Sequence, residues 1–286
     1  MSTFAIEVDD IHFSYGDRQA IAGISFQVAP GEVLGFLGPN GAGKSTTIKI
    51  LTGQLRAQSG RALVLGQDVA KNSSAVQARI GVCFEEKNLY HSLSGEENLR
   101  FFASLFGLRK PDIQGLLARV GLAERGRDRV SGYSKGMRQR LMMARALIND
   151  PEVLFLDEPT DGLDPVSAQT IRGIIREQAD SGAAVLLTTH DMWEADDLSH
   201  RVAFINEGEI YALDTPEHLK LEHGTRSVRV RARQDGAVKE WVVPLDEADA
   251  GQRLKDAVGS EGLLTIHTEE ATLEGVFIQM TGRGLE

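Results

Sequence analysis

A short apolar run that leads through a glycine-rich loop into a helix constrains this chain most strongly. The run VLGFL is followed by GPNGAGKS at residues 38–45, and then Ile48 and Leu51 recur at helical spacing. The loop matches G-x-x-x-x-G-K-[ST] at every fixed position. Glycines in such a loop let backbone N–H groups turn toward phosphate oxygens, and the start of the helix favours the same negative charge. The pattern therefore predicts a phosphate site in which Lys44 contacts the β- and γ-phosphates and the Ser45 hydroxyl binds Mg²⁺.

Further apolar runs predict the sheet that carries this loop. The runs VLFLDE, AVLLTTH, VAFIN and EIYAL are short, mostly apolar and bounded by turns. Such strands, alternating with helices, are typical of a parallel sheet covered on both faces, so the fold class is α/β. The first forty residues read as strands, with ISFQVAPGEVLGFLG forming two strands joined at Pro30 and Gly31. Residues from about 86 to 150 read as mostly helical, in GEENLRFFASLFGL, IQGLLARVGL and GMRQRLMMARALIND.

Polar residues follow two of the apolar strands. Asp157 ends the run VLFLD, and a carboxylate at the carboxyl edge of a parallel sheet lies where ligands bind. Its oxygen atoms suit Mg²⁺ coordination through water. Glu158 is placed to polarise a water that attacks the γ-phosphate, and His190 to hydrogen-bond that phosphate and water. The plainer interpretation, a pair of acids that merely caps a strand, is disfavoured because the phosphate loop is in the same chain.

The sequence changes character after about residue 220. The order there is a hairpin (TRSVRVRAR, a turn at Asp235 and Gly236, AVKEWVVPL), a helix near 247–258, the strand LLTIHT and a last helix with Leu273, Val276, Phe277 and Met280 at helical spacing. We expect residues 220–286 to form a small α+β domain after a larger domain of residues 1–219. The alternating Arg229, Arg231 and Arg233 are either a binding surface or, as we favour, one solvated face of a strand.

The composition disfavours several classes of protein. Lys and Arg number 31 against 41 Asp and Glu, which gives a formal net charge of -10. Non-specific nucleic-acid binding depends on neutralising phosphates, so no nucleic-acid partner is expected. We find no signal peptide, and no apolar stretch approaches the roughly 18 residues of a membrane span. A role in a membrane process would therefore require a membrane partner. The single Cys83 is expected to be a small buried residue, which fits the reduced cytosol.

Six elements in order resemble the ATP-binding cassette (ABC) ATPases over about residues 4–219. They are Tyr15 in FSYGD as the adenine-stacking aromatic, Walker A, the signature segment YSKGM, Walker B in VLFLDE, the D-loop DGLD ending at Asp164, and the switch histidine His190. Walker A comprises Gly38, Pro39, Asn40, Gly41, Ala42, Gly43, Lys44, Ser45 and Thr46. The resemblance implies a P-loop cassette with a parallel core sheet, an N-terminal antiparallel β subdomain and a helical subdomain. It also implies ATP and Mg²⁺ as ligands, and ATP hydrolysis.

The signature segment departs from the usual Leu-Ser-Gly-Gly-Gln. Tyr133, Lys135 and Met137 replace the leucine, the first glycine and the glutamine, whereas Ser134 and Gly136 remain. The retained pair are the groups that the family places on the γ-phosphate, so the resemblance implies that function persists. Lys135 either adds a charge contact to that phosphate or points to solvent.

A second departure is at the Q-loop. Glu85 falls where the family has a glutamine, and a carboxylate there can still reach Mg²⁺; Glu86 is an alternative. By the resemblance, the helical segment beside Glu85 carries the docking surface for a membrane partner.

The resemblance also implies an assembly. In a head-to-tail homodimer, Ser134, Lys135, Gly136 and Asp164 would contact ATP held by the other subunit. A separate integral membrane permease would hold the ATPase on the cytoplasmic face of the cell membrane. The ending TLEGVFIQMTGRGL resembles ATPases of bacterial exporters for drugs, antibiotics and lipids, although import stays open.

Two other classes remain as alternatives. One is a soluble ATP-driven switch that acts on ribosomes or DNA without transport, and the other is a nucleotide sensor without hydrolysis. The chain has a single cassette and no long coiled-coil insertion, which disfavours the first. Glu158 and His190 are both present, which disfavours the second. The chain lacks the Asn/Thr-Lys-x-Asp motif of a GTPase.

Overall fold

The computed structural model describes residues 3–84, 88–224, 226–234, 237–259, 262–269 and 271–282. The chain forms two compact units, and the division lies between Leu213 and Asp214. The expected boundary after residue 219 falls inside a helix, Pro216–His223, which packs on the last helix and so belongs to the second unit. No helix in these ranges is both long enough and apolar enough to span a bilayer.

An antiparallel sheet forms one layer of the first unit. Its strands are β1 (Ile6–Tyr15), β2 (Arg18–Val28), β4 (Ser59–Val64) and β5 (Gln67–Asp68), in the order β2-β1-β4-β5. A tight turn between β1 and β2 sets Tyr15 opposite Arg18. The joint predicted at Pro30 and Gly31 does end β2, but the next strand lies in a different sheet because the chain crosses between layers there.

A six-stranded sheet carries the predicted apolar strands. Its members are β3 (Val33–Leu37), β6 (Ile80–Cys83), β7 (Val153–Asp157), β8 (Ala184–Thr189), β9 (Arg201–Asn206) and β10 (Glu209–Asp214). The order is β10-β9-β3-β8-β7-β6, and the pairs from β9 to β6 are parallel. β3, β7 and β8 are buried along their whole length, which accounts for their unbroken apolar sequences. The α/β prediction is confirmed.

Helices cover both faces of this sheet. They are α1 (Lys44–Leu51), α2 (Val69–Gln77), α3 (Gly95–Leu105), α4 (Ile113–Arg119), α5 (Lys135–Ala146), α6 (Pro165–Asp180) and α7 (Met192–Leu198). Successive residues of β7 serve opposite cores: Leu154 and Leu156 pack with Leu141 of α5, whereas Phe155 packs with Ile48 of α1. The helical character predicted for the segment up to residue 150 is confirmed by α3, α4 and α5.

The second unit is a small α+β body. It contains α8 (Pro216–His223), β11 (Ser227–Gln234), β12 (Ala237–Pro244), α9 (Ala250–Val258), β13 (Leu263–Glu269) and α10 (Leu273–Thr281), with an antiparallel sheet in the order β12-β11-β13. The predicted turn at residues 235–236 lies outside the described residues. Arg229 bonds to Glu240 and Glu269, and Arg231 to Glu240, so these arginines are matched within the sheet as a solvated strand face would be.

Candidate active site

The carboxyl ends of β3, β7 and β8 meet because these strands are parallel neighbours. The glycine loop follows β3, Asp157 ends β7 with Glu158 next, and His190 follows β8. Residues that lie far apart in sequence therefore surround one point at the edge of the sheet, where open α/β sheets bind ligands.

Two glycines let the loop approach neighbouring strands closely. A Cβ at Gly38 would lie 2.0 Å from the carbonyl oxygen of Ile205, and one at Gly43 would lie 2.7 Å from that of Ala20. Gly43 also has a φ of 110°, a conformation that favours glycine. α1 begins at the next residue, so the N–H groups of its first turn point toward the loop.

Lys44 is buried and its ammonium is held by two oxygen atoms. Nζ donates to the carbonyl oxygen of Gly38 at 2.6 Å and lies 3.2 Å from Oε1 of Glu158. That carboxylate oxygen is itself buried and has no aligned hydrogen bond within the described residues, so Lys44 holds it by charge alone. It remains available as an acceptor for a hydrogen-bond donor such as water.

Asp157 lies beside two hydroxyl groups. Its Oδ1 accepts hydrogen bonds from the hydroxyls of Ser45 at 3.1 Å and Thr188 at 2.5 Å. A carboxylate next to a hydroxyl is the all-oxygen donor set that suits Mg²⁺. In the described part of the chain, no three His, Cys, Asp or Glu side chains are arranged to hold a metal ion by themselves, so a metal here would need further oxygen atoms from its ligand.

Glu158 has a strained backbone that aims its carboxylate at the site. Its φ is 48°, which is rare for a residue other than glycine, and its N–H donates to the carbonyl oxygen of Thr188 at 3.0 Å. Oε2 lies 2.9 Å from Nδ1 of His190 and 3.3 Å from the backbone nitrogen of that residue. The histidine and the glutamate thus form a pair in which an ionised Glu158 can only accept, so the tautomer with its proton on Nδ1 suits this contact.

A pocket of about 350 Å³ opens over the loop. Of the predicted residues it is lined by Tyr15, Pro39, Asn40, Gly41, Gly43, Lys44, Ser45, Thr46 and Glu158. The Tyr15 ring packs edge-on against Phe13 and is half exposed, which leaves a face free to stack. Gly38 contributes its carbonyl to Lys44, and Ala42 is buried behind the loop.

Sequence reasoning missed Arg18, which also lines this pocket. A Cβ at Gly41 would lie 3.1 Å from its guanidinium. The usable signal was the two-residue turn after Tyr15, because a hairpin of that length sets Arg18 directly opposite the tyrosine.

The signature residues lie at the start of α5. The Ser134 hydroxyl accepts from the N–H of Met137 at 3.2 Å and caps the helix. A Cβ at Gly136 would lie 2.4 Å from the Ser167 hydroxyl, so glycine permits the close approach of α5 to α6. Among the described residues that line the pocket, none belongs to the signature or to Asp164. The site residues thus form two groups in one chain.

Comparison with known proteins identifies this arrangement. The family model described as "ABC transporter" matches residues 21–161. A fluoroquinolones export ATP-binding protein of Mycobacterium tuberculosis is 46% identical over 100% of this chain and 96% of its own length. This chain belongs to the ABC transporter family.

Two further proteins are similar to this chain, one in sequence over nearly its whole length and one in fold. The daunorubicin resistance ATP-binding protein DrrA3 of Streptomyces coeruleorubidus is 42% identical over 99% of this chain and 97% of its own. A solved ATP-binding subunit of an ABC transporter superposes with a TM-score of 0.70 at 29% identity, over 76% of this chain and 92% of its own. The protein is therefore an ATP-binding subunit and an ATPase of this family.

Within the ABC cassette, Lys135 and Asp164 both have partners in their own chain. Nζ of Lys135 lies 3.3 Å from Oδ2 of Asp161 at the start of the D-loop. Asp164 at its end caps α6, where Oδ1 accepts from the N–H of Ser167 at 2.9 Å, and this hydrogen bonding lowers the pKa of Asp164. In α5, Met137 and Leu141 face the core, while Arg138 and Arg140 donate hydrogen bonds to backbone carbonyls.

Glu194 is a second residue that the sequence analysis did not predict, and it contacts the residue just before the D-loop. Glu194, in α7 just after the switch histidine, is fully buried and hydrogen-bonds to the Thr160 hydroxyl. Burial raises the pKa of Glu194.

The Q-loop positions of this ABC cassette, Glu85 and Glu86, lie outside the described residues. Cys83, just before them, is buried as expected and accepts a hydrogen bond from Gln139.

Proposed function

We propose that this ABC protein hydrolyses ATP to drive a separate membrane permease that exports drugs, antibiotics or lipids. The observation that carries the chemistry is the meeting of Lys44, Asp157, Glu158 and His190 at one sheet edge. The export role is supported by full-length relatives whose names refer to fluoroquinolone export and daunorubicin resistance. In this proposal residues 3–213 are the nucleotide-binding domain and the second unit is an accessory domain.

In the proposed reaction, ATP enters over the glycine loop with its adenine on Tyr15. Lys44 exchanges its contact with Glu158 for the β- and γ-phosphates, because phosphate carries the larger negative charge. Glu158 is then free to accept a proton from the attacking water, and its carboxylate is already oriented by His190. His190 holds the γ-phosphate and that water in line.

Mg²⁺ would be held by Ser45 and Asp157, which are already within hydrogen-bond distance of each other. Bound there with the phosphates, the ion would supply neutralisation of the charge on the transferred group. Glu85 or Glu86 completes the metal site in this proposal.

The functional unit is proposed to be a head-to-tail homodimer. Ser134 and Gly136 begin α5, where N–H groups and a hydroxyl favour an anion, yet neither lines the pocket over the glycine loop of its own chain. Across a two-fold axis they would contact the γ-phosphate held by the partner, with Asp164 nearby.

The permease is proposed to dock in a groove between the sheet and the helical segment, with the ATPase on the cytoplasmic face of the membrane. The groove has a volume of about 590 Å³, and its lining includes Phe102, Leu105, Phe106 and Arg145. Leu105 and Phe106 are exposed, and the Arg145 guanidinium lies 4.7 Å from the centre of the Phe102 ring. An apolar groove with one cation suits an amphipathic helix of the permease.

The proposal is tested with Glu158→Gln, which keeps the size of the side chain but cannot accept the proton. The variant, purified from gently solubilised membranes, should bind ATP as the wild type does and release phosphate at least about a hundredfold more slowly. Glu124→Gln, at an exposed position, is the matched control and should keep the wild-type rate.

The same preparation tests the partner. An integral membrane protein should be recovered with both variants. Wild-type phosphate release by Glu158→Gln would refute the role of Glu158. Recovery with ribosomes or DNA and no membrane protein would instead favour a soluble switch.

A further inference from the structure

Lys135 stands where the ABC signature usually has glycine, and its side chain turns toward its own chain. Nζ lies 3.3 Å from Oδ2 of Asp161, and both side chains are about half exposed. The ammonium therefore has a partner 26 residues away in the D-loop of the same subunit.

Gly162, next to Asp161, has no side chain that would occupy the space of the Lys135 ammonium. Gly162 has a φ of 57°, and a Cβ there would lie 2.1 Å from Nζ of Lys135. The ammonium thus lies directly over the D-loop backbone, in space that any other residue at 162 would fill. The position of Lys135 is set by a carboxylate and by the absence of a side chain next to it.

The ion pair continues into the catalytic pair. Oδ1 of Asp161 is 3.9 Å from Nε2 of His190, and Nδ1 of that histidine is 2.9 Å from Glu158. The other oxygen of Glu158 is 3.2 Å from Lys44. A row of alternating basic and acidic side chains therefore joins the signature segment to the phosphate loop of the same subunit.

The D-loop backbone is anchored beneath this row. The hydroxyl of Thr160, just before Asp161, is bonded to the buried Glu194. The start of the loop is consequently held in place, while the exposed Asp161 carboxylate can change partners by rotation of its side chain.

We propose that Lys135 is a positioning residue that couples the two ATP sites of the dimer. This inference rests on the proposed dimer, in which Ser134 and Gly136 receive the γ-phosphate of the partner subunit. That phosphate competes with Asp161 for the Lys135 ammonium, because it carries more negative charge. When Lys135 moves to the phosphate, Asp161 loses its cation and shifts toward His190. ATP on one subunit thereby changes the orientation of the catalytic pair on the other.

The test compares ATP-dependent hydrolysis rates of Lys135→Met, Asp161→Asn and the double variant. Because the pair is half exposed, each single change should lower kcat by about 1.5- to 5-fold and move the Hill coefficient toward one. Asp161→Asn should leave the KM near the wild-type value, since Tyr15, Lys44 and Lys135 are untouched, whereas Lys135→Met also removes a contact to the partner's phosphate and should raise the KM. The double variant should be no slower than the slower single variant, because both changes break one contact. Lys135→Arg should restore the wild-type behaviour.

Lys110→Met, at an exposed lysine of the same helical segment, is the matched control and should change nothing. Additive losses in the double variant, or a Hill coefficient of Lys135→Met equal to that of the wild type, would overturn the coupling role. A wild type that hydrolyses ATP without cooperativity would overturn it as well. If the wild type neither dimerises with ATP nor hydrolyses it, the proposed function fails and this inference with it.

Discussion

The carboxyl group of Glu194 has no access to solvent, although it lies only four residues after the exposed His190. Burial disfavours its charged form and raises its pKa, while the hydrogen bond from Thr160 acts in the opposite direction. Burying an apolar residue here would cost less free energy. The bond from Thr160 offsets part of the cost of burying Glu194 and connects the start of the D-loop to the helix after the switch histidine.

The raised pKa predicts how stability depends on pH. The folded protein holds this proton to a higher pH than the unfolded chain, so the stability that it contributes is complete at low pH and is lost as pH rises through the raised pKa. Glu194→Gln removes this titration. As the pH rises from about 5 to about 8, the free energy of unfolding of the variant should therefore increase relative to that of the wild type.

Trp193 provides the measurement. The chain has two tryptophans, and in a Trp241→Phe background the fluorescence of Trp193 reports on α7 alone. Urea unfolding at about pH 5 and about pH 8 should show this relative increase in the free energy of unfolding for Glu194→Gln. It should show no such increase for the exposed Glu124→Gln. A difference between Glu194→Gln and the parent that does not vary with pH would rule out the titration of Glu194 as its cause.

At the scale of elements, prediction succeeded where the signal is local. α3 begins at Gly95, as predicted, because Ser94 and Glu97 form a capping box that the sequence spells out as S-G-E-E. β7 and β8 were also predicted, since strands buried on both faces need unbroken apolar runs. α2 was not predicted: only Val69 and Val76 are buried, and Asn72 interrupts the helical backbone.

The parts of the site that were missed depend on how the chain pairs and packs. Arg18 follows from the local turn between β1 and β2, whereas the partner of Lys135 follows from the way α5 packs on α6. Neither contact leaves a periodic pattern in the sequence. The same holds for Glu194, which reads as one of several acids in a polar helix and is buried only by tertiary packing.

The capping box of α3 makes a stability prediction for the element. The Ser94 hydroxyl accepts from the N–H of Glu97 at 3.2 Å, while the Glu97 carboxylate accepts from the N–H of Ser94 at 2.7 Å. Ser94→Ala should lower the free energy of unfolding by about 1 kcal/mol. Ser104→Ala, near the end of the same helix, removes an exposed hydroxyl and should have a smaller effect. Denaturant titrations that rank the two variants the other way would contradict this account of the helix start.

At the scale of the whole molecule, the predicted site residues of one subunit form two separate groups. The loop side holds Lys44, Glu158 and His190, whereas Ser134 and Gly136 lie outside that pocket. A dimer with two-fold symmetry joins each half to the complementary half of its partner, so two identical chains would form two identical sites.

Mixing two inactive subunits tests this assembly. Lys44→Ala disables the loop half and Ser134→Arg the signature half, so each homodimer should be inactive. In an equal mixture about half of the dimers are mixed and each restores one site, so phosphate release should recover to at most about one quarter of the wild-type rate. No recovery after verified subunit exchange would argue against shared sites.

The glycines around the loop differ in how a substitution could be rescued. An alanine at Gly38 or Gly43 would collide with a backbone carbonyl oxygen, which every residue carries, so no second mutation can remove the conflict. At Gly35 in β3 the nearest atom is instead the Ser199 hydroxyl, 2.4 Å from a Cβ. A genetic screen for revertants should accordingly return only true reversions at Gly38 and Gly43. Suppressors of Gly35→Ala should appear at Ser199.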